Sequence, residues 1–89
     1  MNAANDFGFA IHALKQGHRV ARAGWNGKGM WLAYVGEDDY AVHDSGDYMP
    51  PNFSGRLLPW IGMQTAQGDF VPWLASQTDV LAEDWAIAK

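Results

Sequence analysis

The sequence predicts an α+β domain: a small, mostly antiparallel sheet with one N-terminal helix and one short C-terminal helix. Three observations point there. Apolar residues recur at helical spacing only near the N-terminus. The later apolar residues fall in short runs separated by Gly, Pro and Asp. A Ser-x-x-Asp pattern opens a brief polar-apolar stretch near the C-terminus. At 89 residues the chain fits a single domain, 1–89.

Asp6 to Gln16 reads as the helix. Asp6 is a good N-cap, and Phe7, Ala10, Ile11 and Leu14 form one apolar face. Gly17 suits the C-terminal cap, and Lys15 lies near the negative end of the helix dipole. "HRVARAG" follows as a short strand centred on Val20 and Ala21, and Gly24 to Gly29 is a loop. Met30 to Val35 is apolar on both faces, which predicts a central or interface strand. Gly36 to Gly55 is rich in Gly, Pro, Asp and Ser and reads as a long excursion, with a short strand at Tyr40 to His43. Pro50-Pro51 forbids helix there. "RLLPWIGMQT" is the next strand, with Pro59 placing its start at an edge or bulge. "TAQGDF" is a turn in which Gly68 takes positive φ, and "FVPW" returns as the hairpin partner. A capping box of Ser76 with Asp79 predicts a short helix from Gln77 to Ala82, and Trp85 to Ala88 closes the sheet.

Composition bounds the function. A domain of this size hides only about 60% of the surface its unfolded chain exposes, so the core is thin. With no cysteine there is no disulfide or thiolate metal site, and three scattered His show no ligand spacing; no metal is expected. Self-association is the remaining common remedy. Five Trp support it, because tryptophan favours interfaces and ligand sites. A net charge of −4 argues against long nucleic acid, which needs a basic face. The bases are unevenly spread, however. Lys15, Arg19, Arg22 and Lys28 crowd the first third, whereas Glu37, Asp38, Asp39, Asp44 and Asp47 follow without a base among them. A local cationic site for a small anion fits that pattern. "MNAANDFGF" lacks a cationic segment followed by a long apolar run, so no secretory signal is expected; no stretch has transmembrane length, and a cytoplasmic protein without membrane partners is expected.

Two stretches hold the chemistry. In GWNGKG the glycines let backbone N–H groups approach a ligand, and successive N–H groups can form an anion nest. Lys28 adds a point charge and Arg22 a fork of donors for phosphate. Trp25 offers a face for stacking a base, and Asn26 can donate and accept at once. The loop is neither a Walker motif nor a dinucleotide fingerprint. The plainer alternative is a Gly-rich connector whose Trp25 packs into the core. In "PWLASQTDVLAEDW", a helix start at Ser76 to Thr78 presents free N–H donors to an anion or ribose. There the alternative is a capping box that needs no ligand. The acidic run lacks a calcium-loop pattern, and no GxSxG, HExxH or cysteine nucleophile is present. No catalytic set assembles, and no cofactor is implied.

The blocks "FGFAIHALKQGHRVARAGWNGKGMWL" and "MQTAQGDFVPWLASQTDVLAEDWAI" together closely resemble the second Thoeris anti-defence family, small phage and prophage sponge proteins; Gly36 to Leu57 carries no strong pattern of it. The resemblance implies a non-enzymatic protein that binds and sequesters glycocyclic ADP-ribose, the cyclic ADP-ribose-type signal made by Thoeris TIR proteins. Sequestration in the cytoplasm of the infected bacterial host leaves the effector inactive. It also implies a homotetramer built as a dimer of dimers, with pockets shared between protomers, and cyclic dinucleotides as ligands of some relatives. On this basis the expected ligand-binding residues are Arg22, Trp25, Asn26, Gly27, Lys28 and Gly29, with Trp73, Ser76, Gln77, Thr78 and Asp79. Lys28 and Arg22 would face phosphates and Trp25 or Trp73 would stack the base; Trp60 and Trp85 are read as core or interface. The rival readings are a nucleotide-hydrolysing enzyme and a structural phage protein–protein adaptor.

Overall fold

A computed structural model describes residues 5–25, 29–36 and 58–88. The expected strand at Tyr40 to His43, the Pro50-Pro51 break and the acidic run lie outside the described residues, as do Asn26, Gly27 and Lys28. In chain order the elements are α1 (Phe7–Lys15), β1 (Val20–Arg22), a 3-10 turn (Ala23–Trp25), β2 (Trp31–Val35), β3 (Trp60–Gln64), β4 (Phe70–Pro72), α2 (Gln77–Val80) and β5 (Trp85–Ile87). The strands form one antiparallel sheet in the order β4-β3-β2-β1-β5. The α+β class, the two helices and the antiparallel sheet are those read from the sequence.

Local chemistry explains both ends of α1. The Asp6 carboxylate accepts from the Phe9 N–H at 2.9 Å, satisfying a donor that has no partner within the helix. At the other end Gly17 sits at φ +94. Its N–H donates to the Leu14 carbonyl at 3.0 Å and the His18 N–H to the Ala13 carbonyl at 3.0 Å, a Schellman ending that glycine, having no Cβ, makes without strain. Asp6→Ala is expected to destabilise the domain by about 0.5–2 kcal/mol, read as a lower urea midpoint with an unchanged m-value.

The β3–β4 hairpin is closed where the sequence placed it. Gly68 has φ +95. Thr65 N–H donates to the Asp69 carbonyl at 2.7 Å, and the Thr65 hydroxyl accepts from the Asp69 N–H at 3.1 Å. Pro59 is a correction: β3 is an inner strand, not an edge. Its pairing begins one residue later, at Trp60 opposite Val35, so the missing proline N–H falls outside the ladder. The edges are β4, which carries Pro72, and β5. The second helix is also shorter than expected, ending at Val80 rather than Ala82.

Strand alternation divides the sheet into two faces. Val20, Leu32 and Trp85 point to one face and are fully buried beneath Ala10, Ala13 and Leu14 of α1. Trp85 is the largest side chain sealed in this core. The other face carries Ala21, Ala33, Val35, Trp31, Trp60 and Phe70, with no helix over it among the described residues. Gly62 sits in its middle, and a Cβ there would run into the Phe70 ring. The glycine is thus what lets Phe70 lie across β3 against Trp60, at a centroid distance of 6.0 Å.

Candidate functional site

The two stretches singled out in the sequence meet at one end of the sheet, where β1 finishes and β5 begins. Arg22 is paired opposite Trp85. Its Nε donates to Asp84 at 2.8 Å and its Nη1 to Asp79 at 2.8 Å, joining positions 62 and 57 residues away in sequence. The Trp85 indole N–H donates to the Asp79 carbonyl at 3.0 Å, and the Ala23 N–H to the Asp84 carbonyl at 3.1 Å. The chain entering the glycine loop is thereby fastened to the α2 segment through side chain and backbone alike.

The aromatic rings reinforce that junction. Trp25 meets Trp85 edge-on, with centroids 5.5 Å apart and planes at 83°. Trp73 meets the same ring at 6.1 Å and 85°, and Phe7 leans on both Trp73 and Trp85. Such edge-to-face contacts suit the opposed charges of ring edge and ring face. Trp25 and Trp73 are therefore half-buried supports of the core. The plainer reading of Trp25, a loop tryptophan packed into the core, describes much of its environment.

Trp25 has a second surface. It lines a cleft of about 370 Å³ together with Gly29 at the end of the loop. Ala21, Ala86 and Ala88 give the cleft small walls, and Met30 and Trp31 bound it on the β2 side. Such a volume lies within the range of small-molecule sites. Gly29 has φ +71, so the chain turns into β2 there in a conformation that a side chain would resist.

Of the expected ligand residues, the cleft gathers Arg22, Trp25 and Gly29. Trp73, Ser76, Gln77, Thr78 and Asp79 do not line it. Ser76 caps α2: its hydroxyl accepts from the Asp79 N–H at 3.1 Å and donates to the Asp79 carboxylate at 2.9 Å. The capping-box alternative accounts for these two residues. Gln77 and Thr78 are exposed on the first turn of α2. Trp85 is core, as read. Met30, Trp31, Ala86, Ile87 and Ala88 were not foreseen as a lining. The available signal was the small residues recurring at every second position on β1 and β5, which leaves room on one face of a strand.

The triad of charges tunes itself. Hydrogen bonds to Asp84 and then Asp79 raise Arg22 above its ordinary range, against partial burial. The Arg22 hydrogen bond holds Asp84 below the usual carboxylate range. Partial burial pushes Asp79 up, but hydrogen bonds from Arg22, the Ser76 hydroxyl and the Ser76 N–H together outweigh it, and its net shift is downward. Both carboxyls therefore titrate lower when folded than when unfolded, where the value is about 3.9. Their stabilisation is fully present above the unfolded value and is lost as pH falls through the folded values. Denaturation midpoints are expected to hold steady from pH 7 to about 5 and to fall below about 4. Asp84→Asn should flatten that fall.

A model of the Thoeris anti-defense 2-like domain family matches residues 5–88. A curated protein of Bacillus phage SP01, Thoeris anti-defense 2, is 41% identical over 92 aligned residues, which cover 100% of this chain and 100% of that protein.

Proposed function

The chain belongs to the Thoeris anti-defense 2-like family, and from that premise we propose that it binds a cyclic ADP-ribose-type immune signal, glycocyclic ADP-ribose, and holds it uncleaved. Membership supports an anti-defence role in phage. The sponge mechanism is the reading that suits the residues best, and the observation that carries it is the cleft beside the glycine loop.

Such a signal has two phosphates, ribose hydroxyls and a purine. The cleft is lined by Trp25, by Gly29 at a turn of positive φ and by small residues that leave room for a rigid ring. Asn26, Gly27 and Lys28 continue the same loop and are proposed to add an amide, further N–H groups and a cation. Ser76, Gln77, Thr78, Trp73 and Asp79 are proposed to complete the site from a neighbouring protomer's α2 segment. A sponge acts stoichiometrically, so it needs affinity without turnover; nanomolar binding requires roughly −12 kcal/mol. Enclosure by several copies reaches that more readily than one open cleft. No catalytic step is proposed for this protein. It would act where the signal is made, in the cytoplasm of the infected host; no helix among the described residues is long and apolar enough to cross a membrane.

The sheet face that has no helix over it among the described residues supports self-association into the proposed tetramer. Phe70 is 46% exposed yet ringed by Trp31 at 6.2 Å and Trp60 at 6.0 Å. Burying such a cluster against a second copy is favourable. Phe70→Glu is expected to lower the mass seen by light scattering from four protomers to two or one, with the far-ultraviolet circular dichroism unchanged.

The deciding experiment mixes protein with glycocyclic ADP-ribose, follows thermal unfolding, and then analyses ligand recovered by heating. Ligand at about 100 times its dissociation constant adds about 2.7 kcal/mol of stability. A rise in Tm with ligand recovered intact supports the sponge. A converted ligand makes the protein an enzyme instead, and no shift with any cyclic nucleotide, dinucleotides included, leaves the structural adaptor.

A further inference from the structure

The two arginines bracketing β1 stand in opposite electrostatic situations. Arg22 has committed Nε and Nη1 to two carboxylates at 2.8 Å each, so its charge is balanced twice over. Arg19 has no carboxylate partner among the described residues. Its guanidinium lies 4.1 Å over the centroid of the Trp31 ring. The side chain is exposed. A cation stacked on an aromatic face keeps most of its hydrogen-bonding edge free, because the ring takes the flat side of the guanidinium and leaves the N–H groups pointing outward in its plane.

Arg19 also belongs to the cleft's framework. Its carbonyl accepts from the Ala88 N–H at 2.8 Å, and Ala88 lines the cleft. Trp31, on which it rests, lines the cleft as well. Two residues along the strand, on the same face, is Ala21, another lining residue. The Arg19 guanidinium, without a carboxylate partner among the described residues, thus rests on a ring that lines the cleft, while Arg22, itself a lining residue, is tied to two carboxylates.

We infer that Arg19, stacked on Trp31, supplies the cation that meets the anionic part of the cleft's ligand, and that Arg22 is a positioning residue that fixes the loop to α2. The inference rests on the proposed binding of a phosphate-bearing cyclic nucleotide, and it reassigns the phosphate contact first expected of Arg22. The ring restricts a long side chain that would otherwise lose rotamer freedom on binding. A lysine at the same place keeps the charge but loses the flat stack and the fork.

The test is calorimetric titration of the full chain with glycocyclic ADP-ribose at low and high salt. Arg19→Gln is expected to weaken binding about 10–100-fold at low salt, with the gap narrowing as salt screens the charge. Arg19→Lys should recover part of the loss. Asp84→Asn separates the roles of the two arginines, because Asp84 pairs with Arg22 and is not among the proposed ligand residues. If Arg22 served the phosphate, removing a competing carboxylate would strengthen binding; as a positioning residue it leaves binding weaker or unchanged. A ligand-free measurement runs beside these. In Arg22→Met, hydrogen exchange at the Ala23 and Asp79 amides should speed up together, while the Thr65–Asp69 turn stays as it was. Wild-type affinity in Arg19→Gln, or tighter binding in Asp84→Asn, overturns the inference and leaves the proposed function standing. A wild-type protein that binds no cyclic nucleotide overturns both.

Discussion

Trp85→Ala is expected to remove about 3–5 kcal/mol of stability, enough to leave much of the chain unfolded at room temperature. The residue is fully buried and is the largest side chain so placed. Phe7, Trp25 and Trp73 all rest on its ring, so its loss opens a cavity that three other aromatics cannot close without leaving their own contacts. It also carries a polar duty. Its indole N–H donates to the Asp79 carbonyl at 3.0 Å, on the residue that Arg22 and Ser76 hold. Trp85→Phe separates the two effects. A phenyl ring keeps part of the packing and removes the indole donor, while the Ala82 N–H still reaches that carbonyl at 3.3 Å, so the lost hydrogen bond should cost about 0.5–1.5 kcal/mol. Urea titrations of the two variants give both numbers. A loss below about 1.5 kcal/mol for Trp85→Ala would mean that the aromatic group can repack, and that Trp85 is not the keystone of this core.

Why was Trp85 legible only as core or interface, when the helix ends were legible in detail? The caps of α1 are local. Asp6 reaches an N–H three residues on, and Gly17 turns the chain in place, so their chemistry is written in adjacent letters. The same holds for Gly68 and for Ser76 with Asp79. Pairing is not local. β1 lies between β2, its neighbour in sequence, and β5, which arrives from the far end of the chain. Nothing near Val20 announces Ile87 as its partner. Pro59 obeys the same limit: a proline before a strand excludes a donor, and only the sheet order says whether that donor is needed.

The site divides along the same line. The residue types of the glycine loop and of the Ser76 segment could be read, because glycine, indole and capping side chains have chemistry of their own. Their meeting could not be read. Arg22 offers donors suited to phosphate and to carboxylate equally, and the chain decided by bringing Asp79 and Asp84 to it from 57 and 62 residues away. For Trp25 the sequence leaves core and ligand platform open, and the residue both packs against the core and lines the cleft. The alanines were silent because a small side chain contributes space rather than a group.

That silence gives the strongest functional test, since space can be filled without touching any charge. Ala86 lies on edge strand β5, is exposed, and lines the cleft across from Ala21, its register partner. Ala86→Trp is expected to place an indole in the cleft and to weaken binding of glycocyclic ADP-ribose at least about 100-fold, equivalent to about 2.7 kcal/mol. Ala86→Val, which adds little volume, should weaken it much less. Stability should change by no more than about 0.5 kcal/mol, because the position is at the surface and both new residues favour strands. Graded loss of affinity with side-chain volume at constant Tm argues for steric exclusion from this cleft. Unchanged affinity in Ala86→Trp would move the ligand elsewhere, and the exposed first turn of α2 at Gln77 and Thr78 would then be the place to substitute next. The comparison is informative because the variant leaves Arg22, Asp79 and Asp84 untouched. A loss of binding at Ala86 cannot be attributed to a broken ion triad, and a loss on breaking the triad cannot be attributed to a filled cleft.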